Sequence, residues 1–269
     1  MSQKEAKRST GAKTGKGAGD EMPPFQIHPY PILDEGFLQM AGLQPMDLID
    51  LWADEGISFF QYRSKSEPSK SRLEEISRNA KRRKLRWILN DYDQLFSSGV
   101  ADGIHIGWED WQKLKEDRRQ SLVSRLTSVS ALGDESQGLL SGFSTHNLEQ
   151  WQAALAMHRS GELPLSYIAI GPCFKTASKK KGLHPQLTAD VIAALEKQKN
   201  KESKEKDTDL PASVFIGGID SDNLSQLVGM LSPAKKRGET TDFFVASIRA
   251  LSDPLEIRRF RSIEGWLPV

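Results

Sequence analysis

Between residues 30 and 261, short apolar runs alternate with longer amphipathic ones. The runs at 30–33, 57–62, 86–89, 103–106, 139–143, 167–170, 214–216 and 243–246 are mainly apolar or β-branched. That is the pattern of strands buried on both faces of a parallel sheet. Between them, stretches such as 69–83 and 147–159 repeat apolar residues at helical spacing and place charge elsewhere. Strands alternating with helices predict βαβ units. Eight such units favour closure, so the expected fold is α/β, a single (β/α)8 TIM barrel with parallel strands.

Polar and glycine residues gather where each predicted strand ends: Gln61-Tyr62-Arg63, Asn90-Asp91, Gly107, Ser144, Gly171-Pro172, Gly217-Gly218 and Ser247. In a barrel these positions share one rim, the end at which such folds build their sites. Their convergence carries more weight than any one residue.

Composition narrows the classes. The chain has 269 residues, enough for one large domain, and 38% of them are hydrophobic. Lys and Arg total 37 against 36 Asp and Glu. Such a balance supplies no global field for nucleic acid or an anionic membrane, so anion recognition must be local. Cys173 is the single cysteine, which excludes an intrachain disulfide and a Cys-rich zinc module. No apolar run reaches the roughly 18 residues a membrane span needs, and a cytoplasmic address is expected. Residues 1–24 are Lys-, Ser- and Gly-rich and read as a disordered tail ahead of a barrel domain at 25–269. A charged stretch at about 196–210 reads as a flexible insertion, and 232–241 is a third polar stretch. Homo-oligomerisation stays open.

Several clusters carry the candidate chemistry. Alternation puts Gln61, Arg63 and Lys65 on one side of an extended chain, a forked and a compact cation suited to phosphate oxygens. Alone, the same residues make a solvated basic loop. Asp91 and Asp110 follow the third and fourth strands, and each by itself reads equally as a helix N-cap. Beside Arg63 and Lys65 they suggest a metal shared with a phosphate. Without a cation, a diphosphate would meet each carboxylate at a cost of about 4 kcal/mol per charge pair at ~4 Å and an effective dielectric near 20. Mg2+ commonly joins one or two carboxylates to substrate phosphates. His105 has no paired zinc ligand and reads as a packed or substrate-shaping residue. The run from Gly171 to Gly182 interleaves hydroxyls and lysines, which suits an anion or simply a basic loop. Cys173 reads as a packing residue. Gly217-Gly218 and the Ala246-Ser247 pair follow strands seven and eight, a frequent phosphate site in these barrels. Two anion sites predict two phosphorylated substrates.

These residues resemble the thiamine phosphate synthase and thiazole tautomerase family. DGIHIGWED resembles the family's ADG-hydrophobic-H-hydrophobic-GQED, GFSTHNLEQ its GVSTHN-LEE and AIGPCFKTASKK its GLGP-hydrophobic-F-PT-x-TKK. FIGGI, QYRSK, LND and the YPILD opening resemble its IGGI, QLR-x-K, IND and first strand, in order over about residues 30–261. The resemblance implies loss of pyrophosphate from a pyrimidine carbinol diphosphate and capture of the resulting cation by a thiazole phosphate nitrogen. It assigns Arg63, Lys65, Asn90, Ser144 and Lys179 to the diphosphate, with Arg63, Lys65, Ser144 and Lys179 as the catalytic set. It assigns Asp91 and Asp110 to Mg2+, and Gln61 to the pyrimidine. Thr176, Ser178, Gly218 and the backbone at Ala246 and Ser247 fall to the thiazole phosphate. Trp108 stands where the family has Gln, and Lys175 where it has Pro. The partners implied are these small molecules, with no nucleic acid and no membrane. Two alternatives are a thiazole tautomerase without metal and a non-catalytic barrel that binds thiamine phosphates.

Overall fold

The computed structural model describes residues 25–128, 138–175, 187, 191, 192, 194, 195, 210–231, 241–263 and 265–267. The tail at 1–24, the insertion at 196–209 and residues 232–240 lie outside the described residues. Eight parallel strands close into a barrel in sequence order. They are β1 (Phe25–Asp34), β2 (Phe59–Arg63), β3 (Arg86–Asn90), β4 (Gly103–Gly107), β5 (Leu140–Thr145), β6 (Tyr167–Ile170), β7 (Ala212–Ile216) and β8 (Thr241–Ser247). The helices used below are α1 (Glu35–Ala41), α2 (Pro45–Asp54), α3 (Lys70–Arg82), α4 (Asp93–Phe96), α5 (Trp108–Lys113), α6 (Glu116–Ser128), α7 (Leu148–Ser160), α8 (Leu224–Leu231) and α9 (Pro254–Arg261). Among the described residues no helix is long and apolar enough to cross a membrane.

Helix ends follow local chemistry. In α3 the Ser69 hydroxyl accepts from the Arg72 N–H at 3.2 Å, and Leu73, Ile76 and Ala80 turn one face inward. In α7 the Asn147 side chain accepts from the Gln150 N–H at 2.9 Å, and Gly161 ends the helix with φ 76°. The strands bury two separate cores. Outward side chains, among them Phe60, Trp87, Phe143, Phe215 and Phe243, join the helices in the larger one. Tyr30, Ile32, Ile88, Tyr167, Ala169, Val214 and Ala246 fill the barrel interior. Each large aromatic contributes about 1.5–3 kcal/mol by burial, so the outer layer holds most of the stability. The interior is left free to carry polar groups.

Several boundaries differ from the pattern reading. The rim residues Arg63, Asn90, Gly107, Ser144 and Ser247 lie inside strands, because pairing continues to the rim: Asp34 with Arg63, Asn90 with His105, Gly107 with Ser144. Conversely, Ile57 precedes β2. β1 also starts at Phe25, five residues before its apolar run at Tyr30, since it pairs with β8 from Phe25 through Pro31. Pro29 and Pro31 disguise it. Ile27 N donates to Gly265 O at 2.7 Å and Ile27 O accepts from Leu267 N at 2.9 Å, so the C-terminal segment takes that edge. By the two-residue repeat, the proline nitrogens face the same side, between that segment and the β2 ladder, which begins at Ile32. A strand tolerates proline there.

Candidate active site

All eight strands end at one rim, around a cavity of about 1000 Å³. Gln61, Arg63, Lys65, Asn90, Asp91, Asp110, Ser144, Gly218, Ala246 and Ser247 all line it. Thr176, Ser178 and Lys179 lie outside the described residues.

One wall is built around Asp91. The chain leaves β3 with Asp91 at φ 72°, a left-handed conformation that Asp tolerates better than most residues. Its N–H is held by His105 O at 2.8 Å, and its carboxylate accepts from the Gly107 N–H and the Asn90 amide. Gly107 is the hub: a methyl group there would lie 3.3 Å from Asp110 Oδ2 and 3.5 Å from Ser144 Oγ. Asp91, Asp110 and Ser144 thus meet around one backbone position. Neither aspartate is a helix N-cap. Tyr92 precedes α4 without a side-chain cap, Gly107 precedes α5, and Asp110 stands in the first turn of α5. The half-exposed Asp110 pairs with Lys113 at 3.2 Å.

Burial, and then the charge of Asp110, push the Asp91 carboxyl from its usual 3.8 up to about 6. The Gly107 N–H, Arg63 and Asn90 pull the other way. Two acidic groups share one pocket wall with the opposing cation close by. Arg63 is held there by Asp34, which is buried, bonds the guanidinium and caps α1 by accepting from Phe37 N at 2.9 Å. Asp34 was not among the expected site residues. Its signal in the sequence was its position immediately before the α1 run EGFLQMA.

The opposite wall is mostly backbone. Phe174 N donates to Gly217 O at 2.8 Å, and Asn223 Nδ2 to Gly218 O at 2.7 Å. Gly217 and Gly218 take φ of 100° and 68°. A β-carbon on Gly218 would fall 2.4 Å from Lys175 O. Glycine is therefore demanded at this contact. Ser247 Oγ accepts from Ala250 N at 3.2 Å, fixing the turn after β8. Arg249 lines the cavity beside it and was missed for lack of any flanking pattern. Asp220, Asp253 and Glu256 also line this side, each engaged by backbone N–H groups.

On the cavity floor, burial and then Arg63 lower His105 to about 3, so its ring is neutral. Cys173 is fully buried and pushed up to about 12, which fits the packing role. His146 ties two rim loops together, its Nδ1 lying 3.0 Å from Gly171 O. Trp108 is outside the cavity lining and meets Phe143 edge-on at 6.0 Å.

Comparison with known proteins points to one family. The family described as thiamine monophosphate synthase matches residues 30–232. A thiamine-phosphate synthase from Hydrogenobaculum sp. is 30% identical over 58% of this chain and 64% of its own length. One from Pelotomaculum thermopropionicum is 30% identical over 69% of this chain and 72% of its own. The solved thiamine phosphate pyrophosphorylase from Pyrococcus furiosus shares the fold with a TM-score of 0.56 at 15% identity, covering 87% of this chain and 94% of that one.

Proposed function

The chain belongs to the thiamine monophosphate synthase family of transferases, and from that premise we propose that its rim joins a pyrimidine carbinol diphosphate to a thiazole phosphate. The products are thiamine phosphate and pyrophosphate. The observation that supports this most is the pairing, in one cavity, of a carboxylate-and-cation wall with a glycine-lined wall. One suits a metal-bound diphosphate and the other a monophosphate.

Asp91 and Asp110 fit a hard divalent cation. They are oxygen donors close enough for one charge to raise the other's pKa, a repulsion that a cation removes. Bound there with phosphate oxygens, Mg2+ would supply positive charge to the departing pyrophosphate. The protein's own part follows from its side chains. Arg63, Lys65, Asn90, Ser144 and Lys179 would grip the diphosphate as the carbinol C–O bond breaks and its electron pair leaves on oxygen. The thiazole nitrogen lone pair then closes on the electron-poor carbon. Gln61 would hold the pyrimidine, and Thr176, Ser178, Gly218, Ala246 and Ser247 the thiazole phosphate. Arg249 would add a cation there, offsetting the nearby carboxylates. Excluding water protects the cationic intermediate, which suits a site sunk into the barrel mouth.

The direct test is pyrophosphate release with each substrate alone and with both. Release should require both and match thiamine phosphate mole for mole. Turnover of a thiazole phosphate alone, as an isomerisation, would instead favour the tautomerase.

Two further outcomes follow from the two walls. Gly218→Ala should lower the Tm and raise the KM for thiazole phosphate, because the new methyl group meets Lys175 O and an unfavourable φ together. Unchanged values for both would show that this turn can relax. The second outcome concerns pH. Asp91 binds its proton more tightly in the folded chain than in the unfolded one, with a pKa of about 6 against 3.8. In metal-free protein its stabilising contribution is therefore full below about pH 4 and is lost as pH rises through about 6. Asp91→Asn should gain in Tm relative to the wild type across that window, measured in EDTA. A constant difference would mean that Asp91 does not titrate there.

A further inference from the structure

Past Arg63 the β1–β2 and β2–β3 ladders end, yet the next rim cation, Lys65, still lines the same cavity. Among the described residues no backbone–backbone hydrogen bond reaches residues 64–68, and Lys65 itself is exposed. A loop tied only at its ends is ordinarily mobile. Two side chains that lie outside the cavity lining take hold of this one, both at Ser64. The Tyr92 hydroxyl donates to Ser64 O at 3.3 Å. The Ser64 hydroxyl bonds the Tyr62 oxygen, whose own proton goes to Glu35 Oε1 at 3.1 Å.

Each anchor is itself braced. Tyr62 is buried and meets Trp87 edge-on at 6.3 Å. Arg72 grips Glu35 at 2.7 Å and Glu75 at 2.9 Å, which joins α1 to α3. Burial, and then Glu35, raise the pKa of the Tyr62 hydroxyl, so it keeps the proton it donates. Tyr92 directly follows Asp91 and packs against the outer core. Burial, and then the charges of Asp91 and Glu67, raise its pKa too, with Arg63 opposing, so this hydroxyl also stays a donor. Two adjacent acids thus reach two adjacent residues. Asp34 holds Arg63, and Glu35 holds Ser64 through Tyr62.

We propose that Tyr62, Ser64 and Tyr92 form a clamp of positioning residues that fixes the backbone at Lys65 against the Asp91 turn. The clamp sets the spacing between the ammonium and the acidic wall, so that both meet one diphosphate. Ordering a loop on binding costs affinity, and a loop fixed beforehand avoids that cost. The same tie steadies Asp91, whose left-handed backbone leads directly into Tyr92. This role rests on the reading that the cation-and-carboxylate wall takes a metal-bound diphosphate.

The test uses Tyr92→Phe and Ser64→Ala, each of which removes one hydroxyl and cuts one tie. The probe is inorganic pyrophosphate with Mg2+, titrated into the full chain by calorimetry. Each variant should weaken its binding by about three- to tenfold, the scale of one lost hydrogen bond. Lys65→Ala should lose less in the Tyr92→Phe background than in the wild type, because an unclamped lysine already contributes less. The KM for thiazole phosphate should stay unchanged. Independently of any ligand, trypsin cleavage after Lys65 in native protein, followed by mass spectrometry, should speed up by a similar factor in both variants. Unchanged cleavage in both variants, or faster cleavage with unchanged pyrophosphate affinity, overturns the proposal. Additive losses with Lys65→Ala, or an equal rise in the KM for thiazole phosphate, would mark a merely structural role and overturn it too. Should the wild type bind no pyrophosphate with Mg2+, the proposed function fails instead, and the cleavage rates still decide whether the clamp exists.

Discussion

Chelation with EDTA is expected to stop pyrophosphate release completely, and added Mg2+ to restore it. The ground is the state of the acidic wall. Burial and Asp110 already push the Asp91 carboxyl up to about 6, so this wall is strained by its own charge before any substrate arrives. A diphosphate adds more negative charge at the same place, at about 4 kcal/mol for each charge pair near 4 Å with an effective dielectric of ~20. Arg63 and Lys65 alone cannot offset both carboxylates and a diphosphate. Asp110→Asn retains the shape of the side chain and frees Lys113, yet halves the charge available to a cation. Its turnover should fall by about a hundredfold or more, equivalent to ~2.7 kcal/mol of barrier, and excess Mg2+ should recover part of it. Thermal unfolding should be nearly unchanged, because the side chain is half exposed and Asp110 caps no helix. An Asp110→Asn enzyme with full activity and an unchanged Mg2+ requirement would remove this residue from the metal site. Metal-independent isomerisation of a thiazole phosphate would overturn the synthase reading while leaving the barrel intact.

Much of this molecule was legible because period and position are local signals. Apolar runs such as WIL before Asn90 and FVA before Ser247 announce strands, and the polar residues that follow announce the rim. What escaped the pattern depends on partners far away in the chain. Proline disguised the first half of β1, whose pairing is set by β8 and by the C-terminal segment. Asp34 looks like an ordinary cap until Arg63 is placed beside it by the β1–β2 register. Tyr30 and Tyr167 look like core aromatics, and their hydroxyl contact joins residues 137 positions apart. The aspartates were ambiguous for another reason. Asp91 follows its strand by one residue, as a cap would, and only its left-handed backbone and the Gly107 N–H show a different use.

Arg63 should carry the largest single-residue effect on the cation side. Its guanidinium is anchored to the buried Asp34 and also lowers the pKa values of Asp91 and His105 by its charge. The fork can serve Asp34 with one nitrogen and offer others to a diphosphate, which a single ammonium cannot do in the same geometry. Arg63→Gln should therefore lower kcat by about 10²–10³, the usual effect of removing one preorganised donor from a developing charge. Arg63→Lys should recover only part of that loss, because a lysine held by Asp34 is drawn away from the substrate. Asp34→Asn should give a milder loss by loosening the anchor while the charge remains. One readout separates this from general damage to the fold. With Arg63 gone, only the Gly107 N–H and the Asn90 amide still hold the Asp91 carboxyl down, so its transition in metal-free protein should move above about 6 in Arg63→Gln. Equal activity in the Lys and wild-type enzymes would show that only the charge of residue 63 matters. An unmoved Asp91 transition would show that the guanidinium does not face the acidic wall.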